Sequence, residues 1–164
     1  MSQLSLSPKR AAAITATLGL LSLFPPLATD MYLAALGDLA TSMQATHAAA
    51  EFSLSIFFLG LCCGQLLVGP LSDTYGRKTP LLIGTTLFTA TSVALPLVSD
   101  ITWFNALRFV QTIGASAGMV VGRAVVRDLY EGQRAAKVMT VLVMLLTIGP
   151  IASPTLGTLP IETF

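Results

Sequence analysis

The chain has 164 residues, 54% of them hydrophobic and 10% charged, with a mean hydropathy of +0.78. A soluble domain carries about 25% charged residues, so this composition excludes an ordinary water-soluble fold and describes an all-α integral membrane protein. The net charge of +1 is uninformative as a total, and no basic patch with interleaved aromatics points to nucleic acid.

In chain order, a polar start ends in Lys9-Arg10, and residues 11–36 form the first apolar run. As a helix it would extend roughly 39 Å at about 1.5 Å per residue, enough to cross a hydrocarbon core of about 30 Å with tilt. A cleaved signal peptide is the competing reading, but the run is longer than a typical signal core and more spans follow. Pro25-Pro26 removes backbone donors and predicts a kink; Asp30 follows near the outer end. Residues 37–49 read as a polar loop with Asp38 and His47, the histidine a solvated loop residue. The second span, 50–71, contains Gly60, Gly64 and Gly69, which allow close helix approach, and the adjacent Cys62 and Cys63. Those two point to different sides of a helix, so they read as small packing residues rather than a disulfide or metal site.

Residues 69–78, GPLSDTYGRK, concentrate helix breakers and charges between two apolar runs. Gly69, Pro70 and Gly76 are expected to break or bend the chain, and Asp73, Arg77 and Lys78 cannot enter hydrocarbon cheaply. The third span is 79–98; a very short outer turn with Asp100 leads to the fourth, 103–126, opened by Trp103 at the interface. Residues 123–137 form a second charged surface stretch, and the fifth span is 138–159, punctuated by Gly149, Pro150, Pro154 and Gly157. Eight of the nine lysines and arginines then fall on one side, while the outer loops carry Asp38 and Asp100. That bias places the basic loops and the N-terminus in the cytoplasm.

The ninth cation, Arg108, lies inside the fourth span. A charge there is expensive and ordinarily faces a cavity or a partner. Gln111 shares its face at i+3, and Asp30 lies at similar depth on the first span. The expectation is that Asp30 and Arg108 face one polar cavity and influence each other's charge state; the simpler alternative is that Arg108 snorkels outward and Asp30 sits among headgroups. Gly114, Gly118 and Gly122 recur at i, i+4 and i+8, a small-residue stripe that admits a neighbouring backbone and could double as a sliding surface.

Several of these segments resemble one family. The loop pattern of Gly69, Leu71, Asp73, Gly76, Arg77 and Lys78 is similar to the connection between the second and third helices in the major facilitator superfamily of secondary transporters. RFVQTIGASAG, Arg108 to Gly118, resembles the fourth-helix motif of its drug/proton antiporters, with Thr112 where glycine is usual. TDMYLAAL, Thr29 to Leu36, and AVVRDLY, Ala124 to Tyr130, resemble the bicyclomycin-resistance type, with Ala34 in place of proline. GPIASPTLG, from Gly149 and Pro150 onward, is similar to the fifth-helix antiporter motif, with Leu145 replacing a glycine. The resemblance implies a role for Arg108 in proton transfer. It also implies that Asp73 and Arg77 lock a cytoplasmic gate, with Arg123 or Arg127 as further members of the cluster.

The implied fold has six helices in each half and a substrate site between the halves; the five spans here are expected to be an incomplete N-terminal half, from truncation or from a transporter assembled in pieces. Ser/His/Asp arrangements, metal clusters and phosphate loops are absent from the sequence, so an enzyme is not expected. The expected energy source is a proton gradient without a cofactor. The implied partners are the lipid bilayer, protons, a small amphipathic drug or metabolite, and the second transporter half; the implied location is the bacterial inner membrane. Two functions remain: proton-coupled drug efflux, or a non-transporting membrane remnant that packs against other helices through its glycine stripes.

Overall fold

The computed structural model describes residues 7–158, which form seven helices and a single 3-10 turn. In order, α1 is Pro8–Ser22, α2 Phe24–Ala34, α3 Leu36–Ser42, α4 His47–Thr74 and α5 Lys78–Ala94. The 3-10 turn Leu95–Leu97 follows, then α6 Ile101–Leu129 and α7 Gly132–Thr158. Among the described residues, four stretches are long and apolar enough to cross a membrane: Lys9–Ala34, Ala48–Thr74, Lys78–Leu97 and Ile101–Leu129.

The first span breaks where Pro25-Pro26 predicts it. The two prolines occupy the first turn of α2, where a missing N–H costs nothing, and Leu23 caps α1. Two other boundaries differ from expectation. Half of the expected loop at 37–49 is helical, as α3, and His47 opens α4. Pro70 lies inside α4 rather than ending it. Near the end of the helix the Ser72 hydroxyl donates to the Gly69 carbonyl at 2.9 Å and the Thr74 hydroxyl to the Pro70 carbonyl at 2.9 Å, which adds donors to its last turns. The chain turns instead at Gly76, whose φ of +81° a side chain would strain. Gly69 has open space around it and does not serve close approach. Cys62 is exposed and Cys63 half-buried, so the first of the pair lies on the outer face of the bundle rather than within the packing.

α6 is the spine. In its most apolar window 61% of residues are buried, against 17–22% for the other three spans, because α1, α4 and α5 all pack along it. Its sequence permits this: Gly114, Ala115, Ser116, Ala117, Gly118, Val121 and Gly122 are all buried, and small residues let backbones meet. A Cβ on Gly114 would fall 2.6 Å from the Gly84 carbonyl oxygen of α5, and one on Gly118 2.6 Å from the Leu21 carbonyl oxygen of α1. Ser22 uses that approach to donate a 3.2 Å hydrogen bond to the Gly118 carbonyl. The α4 face is matched the other way. Thr112 is fully buried and its bulk is received by Gly60, whose own Cβ would strike the Thr112 hydroxyl. The glycine missing from α6 at that point is thus supplied by α4.

At the start of α6, the Asp100 carboxylate accepts from Thr102 N at 2.8 Å and Trp103 N at 3.1 Å, capping the helix. These bonds, that from Trp103 first, hold its carboxyl below the ordinary 3.8. The cap therefore contributes stability above pH 3.8 and loses it as pH falls through the lower native value.

The glycine contacts rank substitutions. Gly114→Val and Gly118→Val drive a methyl into a backbone carbonyl and should each cost about 1–3 kcal/mol. Gly122→Ala meets its nearest neighbour, the Ser22 hydroxyl, at 3.2 Å, and Gly69→Ala meets nothing within 4 Å. Thermal-shift measurements on the purified protein in detergent should show large losses for the first two, a small change for Gly122→Ala and none for Gly69→Ala.

Candidate functional site

Arg108 projects from α6 at the level where α2 and α4 converge on it, and is 4% exposed. Its Nη1 donates to Gln111 Oε1 at 3.2 Å and makes a long 3.5 Å contact with the Ala28 carbonyl of α2. Gln111 Nε2 donates to the Ser92 hydroxyl of α5 at 2.8 Å, and that hydroxyl donates to the Phe88 carbonyl at 2.7 Å. A polar chain thus crosses three helices within an apolar interior. The other two guanidinium nitrogens, Nε and Nη2, are buried without a hydrogen-bond partner among the described residues. Aromatic faces stand beside them: the guanidinium carbon lies 4.3 Å from the Tyr32 ring centroid and 4.8 Å from that of Phe57. A desolvated cation over such faces gains about 2 kcal/mol.

Beside this arginine lies an open cavity of about 360 Å³. Phe24, Leu27, Ala28 and Met31 of α2 form one wall, Phe88 and Ser92 of α5 another, and Arg108 and Gln111 the polar floor. Phe24 and Phe88 stack across it with centroids 4.6 Å apart. The combination of an apolar wall with a few convergent polar groups suits a small amphipathic molecule.

Arg108 and Gln111 come together as expected; Asp30 does not join them. It is half-buried on α2 outside the cavity lining, no ion pair links it to Arg108, and its Oδ2 is buried without a partner among the described residues. The helix explains this. Ala28 and Tyr32, one turn apart on α2, both face α6, and Asp30 lies between them at about 200° from each, since successive residues turn by about 100°. The aromatic partners Tyr32 and Phe57 had no signal of their own in the sequence, being apolar-run residues like their neighbours, and Ser92 is one hydroxyl among several on α5.

The loop motif forms a second polar cluster at the opposite end of the bundle. Arg77 Nη1 donates to Asp73 Oδ1 at 2.5 Å and to the Ser72 hydroxyl at 2.8 Å, and its Nε donates to Asp128 Oδ2 at 2.9 Å. One guanidinium so ties the end of α4 to the end of α6. The hydrogen bond Arg77 donates to Asp128, ahead of the one it donates to Asp73, holds its pKa above the ordinary value. The α6 partner is thus Asp128 rather than Arg123 or Arg127; Arg123 Nε instead donates to the Met119 carbonyl at 3.1 Å. Lys78 opens α5 and Gly76 supplies the turn. Of the small-residue positions, Gly114, Gly118 and Gly122 form the buried stripe of α6. Gly149 and Pro150 fall on α7, but their side-chain surroundings lie outside the described residues.

The chain is 38% identical over 149 residues to an uncharacterized MFS-type transporter, YdgK, of Bacillus subtilis, covering 91% of this chain and 37% of that protein. It is 33% identical over 141 residues to a bicyclomycin resistance protein homolog of Haemophilus influenzae, covering 86% and 35%. It is 36% identical over 137 residues to the multidrug resistance protein MdtL of Escherichia coli O157:H7, covering 84% and 35%. The chain therefore spans little more than a third of the length of these relatives. Residues 16–164 match the Major Facilitator Superfamily, so the chain, a multi-pass membrane protein whose family points to transport rather than enzymatic chemistry, belongs to that superfamily.

Proposed function

We propose that this chain forms part of the N-terminal half of a secondary transporter that expels small drugs or antibiotics from a bacterium in exchange for protons. The observation that carries this reading is the cavity beside Arg108: a permanent cation buried at membrane depth, next to an apolar, aromatic-lined space large enough for a drug-sized fragment. Relatives named for multidrug and bicyclomycin resistance support the substrate class. The opposing wall of the site would come from the transporter's other half, as in folds built from two repeats.

In this reading Asp30 is the proton site and Arg108 with Gln111 the polar wall that senses it. An intramembrane carboxylate without a donor on one oxygen is free to take a proton. The coupling then runs through α2, which carries Asp30 on one side and, on the other, the Ala28 carbonyl and Tyr32 ring that contact Arg108. Protonation would change how deeply α2 tolerates its exposure to lipid or cavity, and so move the wall of the drug site. The N-terminus and the loop at Gly69, Asp73, Gly76, Arg77 and Lys78 are read as cytoplasmic, from the confinement of the basic loops to one side. The Arg77 cluster would act there as a gate that opens when α4 and α6 part. The membrane is read as the bacterial inner membrane, with a proton gradient as the energy source and no cofactor.

Drug accumulation in cells carrying the complete transporter tests this directly. Low accumulation should rise when a protonophore is added, and Arg108→Ala and Asp30→Asn should each remove at least about tenfold of the efflux, as expected for loss of a buried charge worth more than about 1.4 kcal/mol. Efflux that survives both substitutions would leave the helix-packing membrane protein as the better reading.

The gate makes a separate prediction. Arg77 is held by partly exposed pairs, each contributing at most about 1 kcal/mol, so Arg77→Ala should lower thermal stability little. A cysteine pair placed at residues 74 and 129 should nevertheless cross-link more slowly in that variant, because the Arg77–Asp128 ion pair that holds the loop after α4 against α6 would be gone.

A further inference from the structure

Arg108 is buried with two of its three nitrogens lacking any hydrogen-bond partner, and no carboxylate pairs with it among the described residues. An unpaired buried cation of this kind is strongly destabilising unless something else compensates it. Two aromatic rings do so, and they are not equivalent. Phe57 is 1% exposed and lies within α4 as a core side chain. Tyr32 is 7% exposed, lies closer to the guanidinium, and is itself tethered: its hydroxyl donates to the Ala50 carbonyl of α4 at 2.5 Å. Its ring also stacks on Phe104, one turn before Arg108 on α6, with centroids 6.2 Å apart. Tyr32 is therefore fixed at both edges, by a hydrogen bond to α4 and a ring contact to α6, with its face over the cation between them.

We propose that Tyr32 is the positioning residue of Arg108: its ring occupies the place of a counter-ion and holds the guanidinium with Nη1 turned toward Gln111 and the cavity. The tether to Ala50 sets the angle of the ring, and the ring sets the angle of the guanidinium. Because Tyr32 and Asp30 lie on nearly opposite sides of α2, the helix offers the arginine a π-face in this conformation and keeps the carboxylate away from it. Tyr32 so determines which of its two possible partners Arg108 meets. The role in transport rests on the reading given above for Arg108; the positioning itself does not.

The test reads the arginine rather than transport. Membranes containing the protein are treated with phenylglyoxal, which modifies accessible guanidinium groups, and the modification at residue 108 is quantified by mass spectrometry, with exposed Arg10 as internal reference. Wild-type Arg108 should be protected. Tyr32→Leu, which keeps bulk but removes the π-face, should raise its modification about tenfold, in line with loss of a desolvated cation–π contact. Tyr32→Phe, which keeps the ring, should restore most of the protection while losing the Ala50 tether. Val121→Ala opens a fully buried position of α6 thirteen residues beyond the cation, and should leave Arg108 protected; this separates positioning from general loosening. If Tyr32→Leu fails to fold, Tyr32→Met provides a flexible apolar replacement with the same expectation. Equal protection in wild type and Tyr32→Leu, or equal modification in the Phe and Leu variants, would overturn the proposal. Either result is obtained whether or not the protein moves drugs. If efflux depends on Arg108 but its reactivity ignores Tyr32, the transport reading stands and the positioning falls.

Discussion

Everything in this bundle is arranged around the cost of placing one guanidinium at membrane depth. Arg108 is almost wholly withdrawn from the surface, and no carboxylate neutralises it among the described residues. What remains is a glutamine, a distant backbone carbonyl and two aromatic faces. Each of these comes from a different direction, so the charge can be tolerated only when α2, α4 and α6 are correctly assembled. A helix bundle in lipid lacks the hydrophobic drive that gathers a soluble core; here a buried cation supplies a reason for three helices to converge at one height.

The convergence is possible because α6 is thin. Its glycines, alanines and serines remove side-chain bulk along two faces, and α1, α4 and α5 come close enough for backbone carbonyls to be contact atoms. The polar links then follow from proximity: Ser22 reaches Gly118 of α6, Gln111 of α6 reaches Ser92 of α5, and Ser53 of α4 donates to Asn105 of α6. At the far end of the bundle the Arg77 cluster repeats the theme with charges that water can still reach. Tight, small-residue contact through the middle and a separable ionic contact at one end suit a half-bundle that moves as a unit and opens at its edge.

Much of this was legible in the sequence. The apolar lengths match the four long apolar stretches among the described residues, and Pro25-Pro26 marks the break between α1 and α2. The stripe at Gly114, Gly118 and Gly122 and the association of Arg108 with Gln111 follow from helical spacing. Three things were not legible, each for a physical reason. Pro70 lies within α4 and the helix runs on to Thr74, because membrane helices tolerate an interior proline that propensity alone would read as a stop. Asp128 rather than a nearby arginine completes the Arg77 cluster, since which residue of a charged helix end faces its neighbour depends on helix rotation. Asp30 and Arg108 share a depth but not a direction; depth is read by counting residues from a membrane surface, whereas direction depends on how α2 is turned after its kink.

The measurement closest to the central claim is the side-chain 15N–1H spectrum of arginine-labelled protein in lipid nanodiscs, with the Arg108 signal assigned by its loss in Arg108→Lys. A guanidinium sheathed by Tyr32 and Phe57 predicts an Nε–H resonance shifted upfield by the ring currents and exchanging slowly with water. A signal at the position of exposed arginines and in rapid exchange would show that Arg108 reaches water, and the account of the bundle built around it would be wrong.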